Sequence, residues 1–268
     1  MAGYARCFPQ LDNMLTALGT IVHLRAEPHE AQFYCGLLDY YDHWQTIDLR
    51  LLKHHKHLSQ AADSFGHEIV YIATYSHLLL DWVRPERISL DESVVIAGAM
   101  AKSLMISVRS ACDAIALALS YVACNKPGQV PFSSLVSLVR WAERNPGRIC
   151  PSIASLLSEP LDWFWNIRSL RDHVVHGGAQ ANIHCDRKQF NLWIHSPKSG
   201  WVTRQPLFPL LAKSIQDLTA FSNRAAKAIN LRIDMPVDRI RSRVVEGIHI
   251  PAIHKLLRIA DDYAAPSP

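Results

Sequence analysis

Residues 89–124, SLDESVVIAGAMAKSLMISVRSACDAIALALSYVAC, decide how the chain is read. Ser89 followed three residues later by Glu92 is a capping box, in which a hydroxyl and a carboxylate satisfy the first free amides of a helix. Beyond it the apolar residues continue almost unbroken to Cys124. Leu104 to Cys124 comes nearest to the roughly 20 apolar residues of a membrane span, but Arg109 and Asp113 interrupt it. They stand one helical turn apart, where opposite charges pair. The stretch predicts a long central helix buried in a soluble protein, with no membrane partner.

Towards the N-terminus, Asp12 to Val83 carries apolar residues at helical spacing, which predicts two or three helices with breaks at Pro28 and Arg84-Pro85. Towards the C-terminus, Asn125-Lys126-Pro127-Gly128 is a turn and Ser133 to Asn145 a helix ended by Asn145-Pro146-Gly147. A further helix runs from about Pro151 to His176, with Pro160 as a break or new start and Gly177-Gly178 as the stop. From Ala181 to Thr203 the period changes to alternation, with Ser196 to Gly200 as a turn, which predicts a small β-hairpin or meander. Leu207 to about Leu231 is helical again. One or two short helices and a frayed end at Pro266-Ser267-Pro268 complete the chain. The expected organisation is an N-terminal helical region (1–88), a helical domain (89–232) with the hairpin at about 181–204, and a C-terminal segment (233–268).

A chain of 268 residues with 49% hydrophobic side chains can bury one large core. Its net charge of +4, with 14 histidines that add charge below about pH 6.5, permits an anionic partner without requiring one. The six cysteines, Cys7, Cys35, Cys112, Cys124, Cys150 and Cys185, form no CxxC pair and are read as reduced. Met1 to Leu18 lacks the basic start and continuous apolar run of a secretory signal, so a cytoplasmic location is expected. Lys53-His54-His55-Lys56-His57 invites a metal reading, but no second Cys/His cluster accompanies it and the lysines repel a cation, so a solvated helix face is the better account. Trp141, Trp163 and Trp165 are read as packing residues before stacking platforms. Catalytic triads, glycine-rich phosphate loops and paired cysteine ligands are absent, and neither metal nor cofactor is expected.

The segment that carries a chemical suggestion is Arg171-Asp172-His173-Val174-Val175-His176-Gly177. At 100° per residue, Trp163, Ile167, Leu170 and Val174 share a narrow core-facing arc, while Arg168, Arg171, Asp172 and His176 share another arc about 140° wide. Asp172 and His176 are four apart, so the carboxylate can hold the imidazole, and the arginines add fixed positive charge. Such a set suits cleavage of a ribose phosphodiester, where a histidine handles the 2′-hydroxyl proton and an arginine stabilises phosphate charge without a metal. Three pairs have the Arg-x4-His spacing: Arg50 with His55, Arg168 with His173, and Arg171 with His176. Context favours the last, with a polar residue after the arginine, glycine after the histidine and an aromatic-rich helix leading in.

In these positions, Arg171, Asp172 and His176, the segment resembles the signature of the HEPN superfamily. The resemblance implies an all-α helical bundle and a metal-independent endoribonuclease of the toxin or antiviral-defence kind. It also implies a homodimer whose shared cleft is lined by the arginine and histidine of both copies, with RNA as substrate and an inhibitory protein partner in some settings. His176 then acts on the 2′-hydroxyl, Arg171 stabilises the phosphate, and Asp172 or Asp113 orients them. Arg168, His173 and Arg109 are supporting candidates. Two other readings stay open: a non-catalytic HEPN-like nucleotide-binding or protein-assembly module, and a helix end whose cations complement its dipole.

Overall fold

In the computed structural model, which describes residues 31–40, 54–82, 90–124, 129–130, 134–176, 180–186, 189–196, 201–234 and 244–264, two long helices set the frame. They are α1 (His55–Trp82, 28 residues) and α2 (Leu90–Val122, 33 residues), packed along one another. On α2 the fully buried positions Ala97, Ala101, Leu104, Val108, Ala111, Cys112, Ile115 and Leu119 recur at three- and four-residue steps. The alanines let neighbouring helices approach closely, and the larger side chains fill what remains. Val94–Val122 is long and apolar enough to cross a membrane by length and composition, and α1, three later helices and a strand pack along it. α2 is the central helix expected from the sequence. Its predicted cap, Ser89, lies outside the described residues.

Prolines divide the next stretch of the chain. α3 (Leu135–Arg144) ends at Asn145-Pro146, α4 (Pro151–Leu157) starts with Pro151 at its first position, and α5 (Asp162–His176) begins just after Pro160. The expected stop at Gly177-Gly178 also lies outside the described residues. The change of period after it produces three antiparallel strands in the order β2–β3–β4: β2 (Gln180–Asp186), β3 (Gln189–Ser196) and β4 (Trp201–Pro206). Ile183 pairs with Leu192, and both are buried with Phe190, so the inward positions of the meander rest on the helices. α6 (Leu207–Ile233) comes next, closed by Asp234 in the left-handed conformation (φ 57°). The last helix, α7 (Ile250–Ala264), packs on α1 and α6. The fold is all-α with a small antiparallel sheet.

One element departs from expectation. Gln32–Tyr34 forms a short strand, β1, inside the stretch read as helical, and it pairs antiparallel with β5 (Val244–Glu246), inside a stretch read as short helices. Three residues carry too little periodicity to separate strand from helix, and the pairing spans most of the chain, where local propensity is silent. Its consequence is to tie the first described segment to the stretch just before α7. The Gly247 amide donates to the Ala31 carbonyl at 3.1 Å, and His254 Nε2 lies 2.9 Å from the Gln32 carbonyl oxygen. A 3₁₀ turn (Gly36–Tyr40) then presses on α6, where the Gly36 amide donates to Asn223 Oδ1 at 2.7 Å. Residues 12–30 and 41–53, also read as partly helical, lie outside the described residues.

Just past β5, His249 stacks at 4.5 Å between ring centroids on buried His77 of α1, which pairs with Asp81 at 2.9 Å. Burial holds the His249 imidazole below its ordinary pKa, and the neighbouring His77 pushes it the same way against the pull of Asp81. His54 and His57, from the histidine-rich run, pack on Tyr121 at 5.8 and 4.2 Å. That run anchors the start of α1 on the end of α2, so it is more than a solvated face. Among the described residues no group of three or more metal-ligating side chains stands together.

Candidate functional site

A polar cleft of about 480 Å³ opens where α2, α3 and α5 meet. Each helix contributes for its own reason. On α2, Arg109 and Asp113 are the charged interruption of an apolar helix, and they form the expected ion pair, one turn apart and partly buried. Asp113 Oδ1 also accepts the Leu135 amide at 2.8 Å, so the carboxylate fastens the first turn of α3. Ser134 completes that start as the N-cap, accepting from the Ser137 amide at 3.2 Å. The Arg109 guanidinium also lies over the Phe164 ring, 5.1 Å from its centroid, which links α2 to α5.

α5 follows its expected core arc in part, since Ile167 and Leu170 lie in the core, Trp163 enters it only partly, and the side chain of Val174 lies outside the described residues. Phe164, Ile167 and Leu170 are buried, while Trp163 and Trp165 pack against the core from partly buried positions. The opposite arc brings Arg168, Arg171 and Asp172 to the cleft wall. Asp172 takes both arginines, with Oδ1 at 2.9 Å from Arg171 Nη1 and Oδ2 at 3.4 Å from Arg168 Nε. The Arg168 guanidinium lies 5.6 Å from the centroid of Trp165. The carboxylate therefore bridges two arginines of its own helix, and the contact expected with the imidazole four residues on falls on a side chain outside the described residues. α5 carries the backbone of His173 and His176 through its last turn, and their side chains lie outside the described residues.

Five candidates from the sequence, Arg109, Asp113, Arg168, Arg171 and Asp172, thus line one cleft. Sequence reasoning missed Arg140, which α3 presents at the same opening with the hydroxyls of Ser110 and Ser137. The signal for it was indirect. α3 is strongly amphipathic, with Leu135, Val136, Leu138 and Val139 buried, which marks Arg140 as outward-facing, but only the Asp113–Leu135 bond shows where that face looks. Four guanidinium groups surround the cleft against two carboxylates. The surplus gives the cleft a positively charged lining, and planar guanidinium donors match phosphate oxygens in geometry.

Comparison of the chain with protein-family models, with curated proteins and with solved structures gives no match in any of the three. What the fold and site define is an all-α protein with an arginine-rich cleft between three helices.

Proposed function

We propose that the cleft holds the phosphodiester backbone of RNA and that the chain is a metal-independent endoribonuclease of the HEPN type. The observation that carries the reading is the gathering of Arg109, Arg140, Arg168 and Arg171 around one cleft with two carboxylates, which leaves positive charge for a phosphate. In this mechanism Arg171 stabilises charge on the scissile phosphate and His176 takes the 2′-hydroxyl proton, while Arg140 holds a neighbouring phosphate. A regular helix places Arg171 and His176 about 140° apart, so one helix does not converge them on a single atom. A homodimer that sets the last turn of α5 from each copy across a common groove supplies that convergence. The toxin or antiviral-defence setting, with an inhibitory partner, belongs to the same resemblance.

The bond that Arg171 donates to Asp172 favours a second reading, a nucleotide-binding or assembly module that uses the cleft without chemistry, because the arginine assigned to the phosphate already has a carboxylate. Cleavage of an RNA panel in EDTA by the parent, Arg171→Ala and His176→Ala separates the two. The catalytic reading expects cleavage by the parent alone. Equal cleavage by both variants removes the assignment, and RNA binding without cleavage of any substrate leaves the binding module.

A further inference from the structure

The fold brings together two cysteines that lie far apart in sequence. Cys124 stands just past the end of α2 and Cys150 caps α4. The Cys150 amide donates to the Ala123 carbonyl at 2.8 Å. A carbonyl oxygen lies about 2.8 Å from the next α-carbon, so a bond of this length holds the α-carbons of Cys124 and Cys150 roughly 4 to 6.5 Å apart. Disulfides span about 4.4 to 6.8 Å between α-carbons. The Cys150 side chain turns the same way. The Cys150 sulfur lies 4.0 Å from the Val122 carbonyl oxygen and 3.7 Å from Ser152 Oγ, against the chain that carries Cys124. Burial raises the Cys124 thiol above its ordinary pKa, the guanidinium groups of Arg148 and Arg232 oppose that rise, and Cys150 is close enough to add to it.

The surroundings hold this arrangement and give access to it. Arg232 of α6 donates to the Val122 and Cys124 carbonyls, both at 3.3 Å, which pins the chain beside Cys124. A cleft of about 400 Å³, lined by Arg148, Cys150, Ser152 and Arg232 among others, opens on the partly buried Cys150. Cys35 and Cys112 are fully buried in the core, and burial pushes the Cys112 thiol far up, which makes it inert.

We propose that Cys124 and Cys150 form a redox-responsive dithiol that a peroxide converts into a disulfide tying the end of α2 to the start of α4. The Cys150 thiolate attacks one oxygen of hydrogen peroxide, the O–O bond breaks, and the departing hydroxide takes up the thiol proton as water. Cys150 is now a sulfenic acid. The Cys124 sulfur attacks the Cys150 sulfur, expels the hydroxyl as hydroxide, and gives up its own proton to make a second water. Two thiols are oxidised and one peroxide is reduced to two waters. The loop so closed contains the whole of α3, so the cross-link tightens the helix that carries Arg140 to the basic cleft. The inference does not depend on what that cleft binds.

Graded hydrogen peroxide on the native full-length protein, followed by alkylation and peptide mass spectrometry without reductant, tests this. The expected result is one cross-linked peptide pair joining Cys124 and Cys150, reversed by dithiothreitol, with Cys35 and Cys112 alkylated only after unfolding. In Cys124→Ala the Cys150 sulfenic acid should accumulate and be trapped by dimedone, and circular dichroism shows whether that variant has kept its fold. If the variant does not fold, the parent's cross-link decides alone. Cys150 bridged to another cysteine, or oxidised to sulfinic acid in the parent with Cys124 still alkylatable, overturns the proposal.

Discussion

Asp172 accepts Arg171 Nη1 at 2.9 Å along the wall of the basic cleft, and its second oxygen reaches Arg168 Nε at 3.4 Å. The carboxylate stands where an oxyanion bound by the same two guanidiniums would stand. An incoming phosphate has to displace it or share the arginines with it.

Asp172→Asn keeps the side-chain shape and removes the charge, so binding of a short labelled RNA or of pyrophosphate should tighten by about ten-fold at low salt, with the gain fading as salt rises. Fluorescence polarisation across a salt series reads both effects. Weaker binding by the variant would mean that the carboxylate orients the arginines for the ligand and does not compete with it.

Arg140 is exposed on α3 and makes no ion pair or hydrogen bond with another described residue. Arg140→Ala should therefore leave stability within about 0.5 kcal/mol, as surface substitutions usually do. If the residue grips a backbone phosphate, the same variant loses RNA affinity several-fold and flattens the salt dependence by about one counterion. Unchanged affinity at low salt would remove Arg140 from the site.

What was legible in advance divides along physical lines. α2, α5 and α6 announce themselves because an amphipathic or apolar helix writes its period over ten or more residues, and Pro146, Pro151 and Pro160 mark boundaries because a helix can begin at a proline but does not run through one. The meander is visible for the same reason at period two, in Phe190 to His195. The pairing of β1 with β5 is invisible because Gln32–Tyr34 finds its partner near the other end of the chain. The cleft is half legible. Arg168, Arg171 and Asp172 share a helix face by arithmetic, and Arg109 with Asp113 stand out as charges in an apolar run. That these two sets meet depends on how α2 crosses α5, and Arg140 joins them only because Asp113 holds the start of α3. The nearness of Cys124 to Cys150 is likewise a property of packing, with no local spacing to betray it.

His249 provides a pH dependence whose sign is set. Its native pKa lies below the ordinary value, because burial and His77 disfavour the charged form, so the unfolded chain binds the proton more readily than the folded one. Its contribution is complete above about pH 6.5 and is lost as pH falls from there through the lowered native value. Asp81, paired with His77 at 2.9 Å, opposes part of that loss while it stays ionised. The parent should melt at a lower temperature at pH 5.5 than at pH 7.5. His249→Phe keeps a ring against His77 and should shrink the difference. An undiminished difference in the variant would assign the effect to other histidines.

Asp113 separates a structural role from a catalytic one. Its Oδ1 accepts the Leu135 amide at 2.8 Å while the carboxylate pairs with Arg109, whose side chain is 14% exposed against 31% for Asp113. Truncation removes both bonds at once, leaving a buried guanidinium short of a partner and the first amide of α3 without its acceptor. Breaking a fully buried pair costs about 3 to 5 kcal/mol, but partial exposure lets water replace some of the loss, so Asp113→Ala should cost about 1 to 3 kcal/mol. Asp113→Asn retains an acceptor for Leu135 and should cost less. Urea unfolding of the three proteins measures this, and a loss under about 0.5 kcal/mol in the alanine variant would contradict the anchoring role. If Asp113 only fastens α3, any RNA-directed activity of Asp113→Asn falls no further than its folded fraction, whereas a group that touches the phosphate would lose activity in a protein still fully folded.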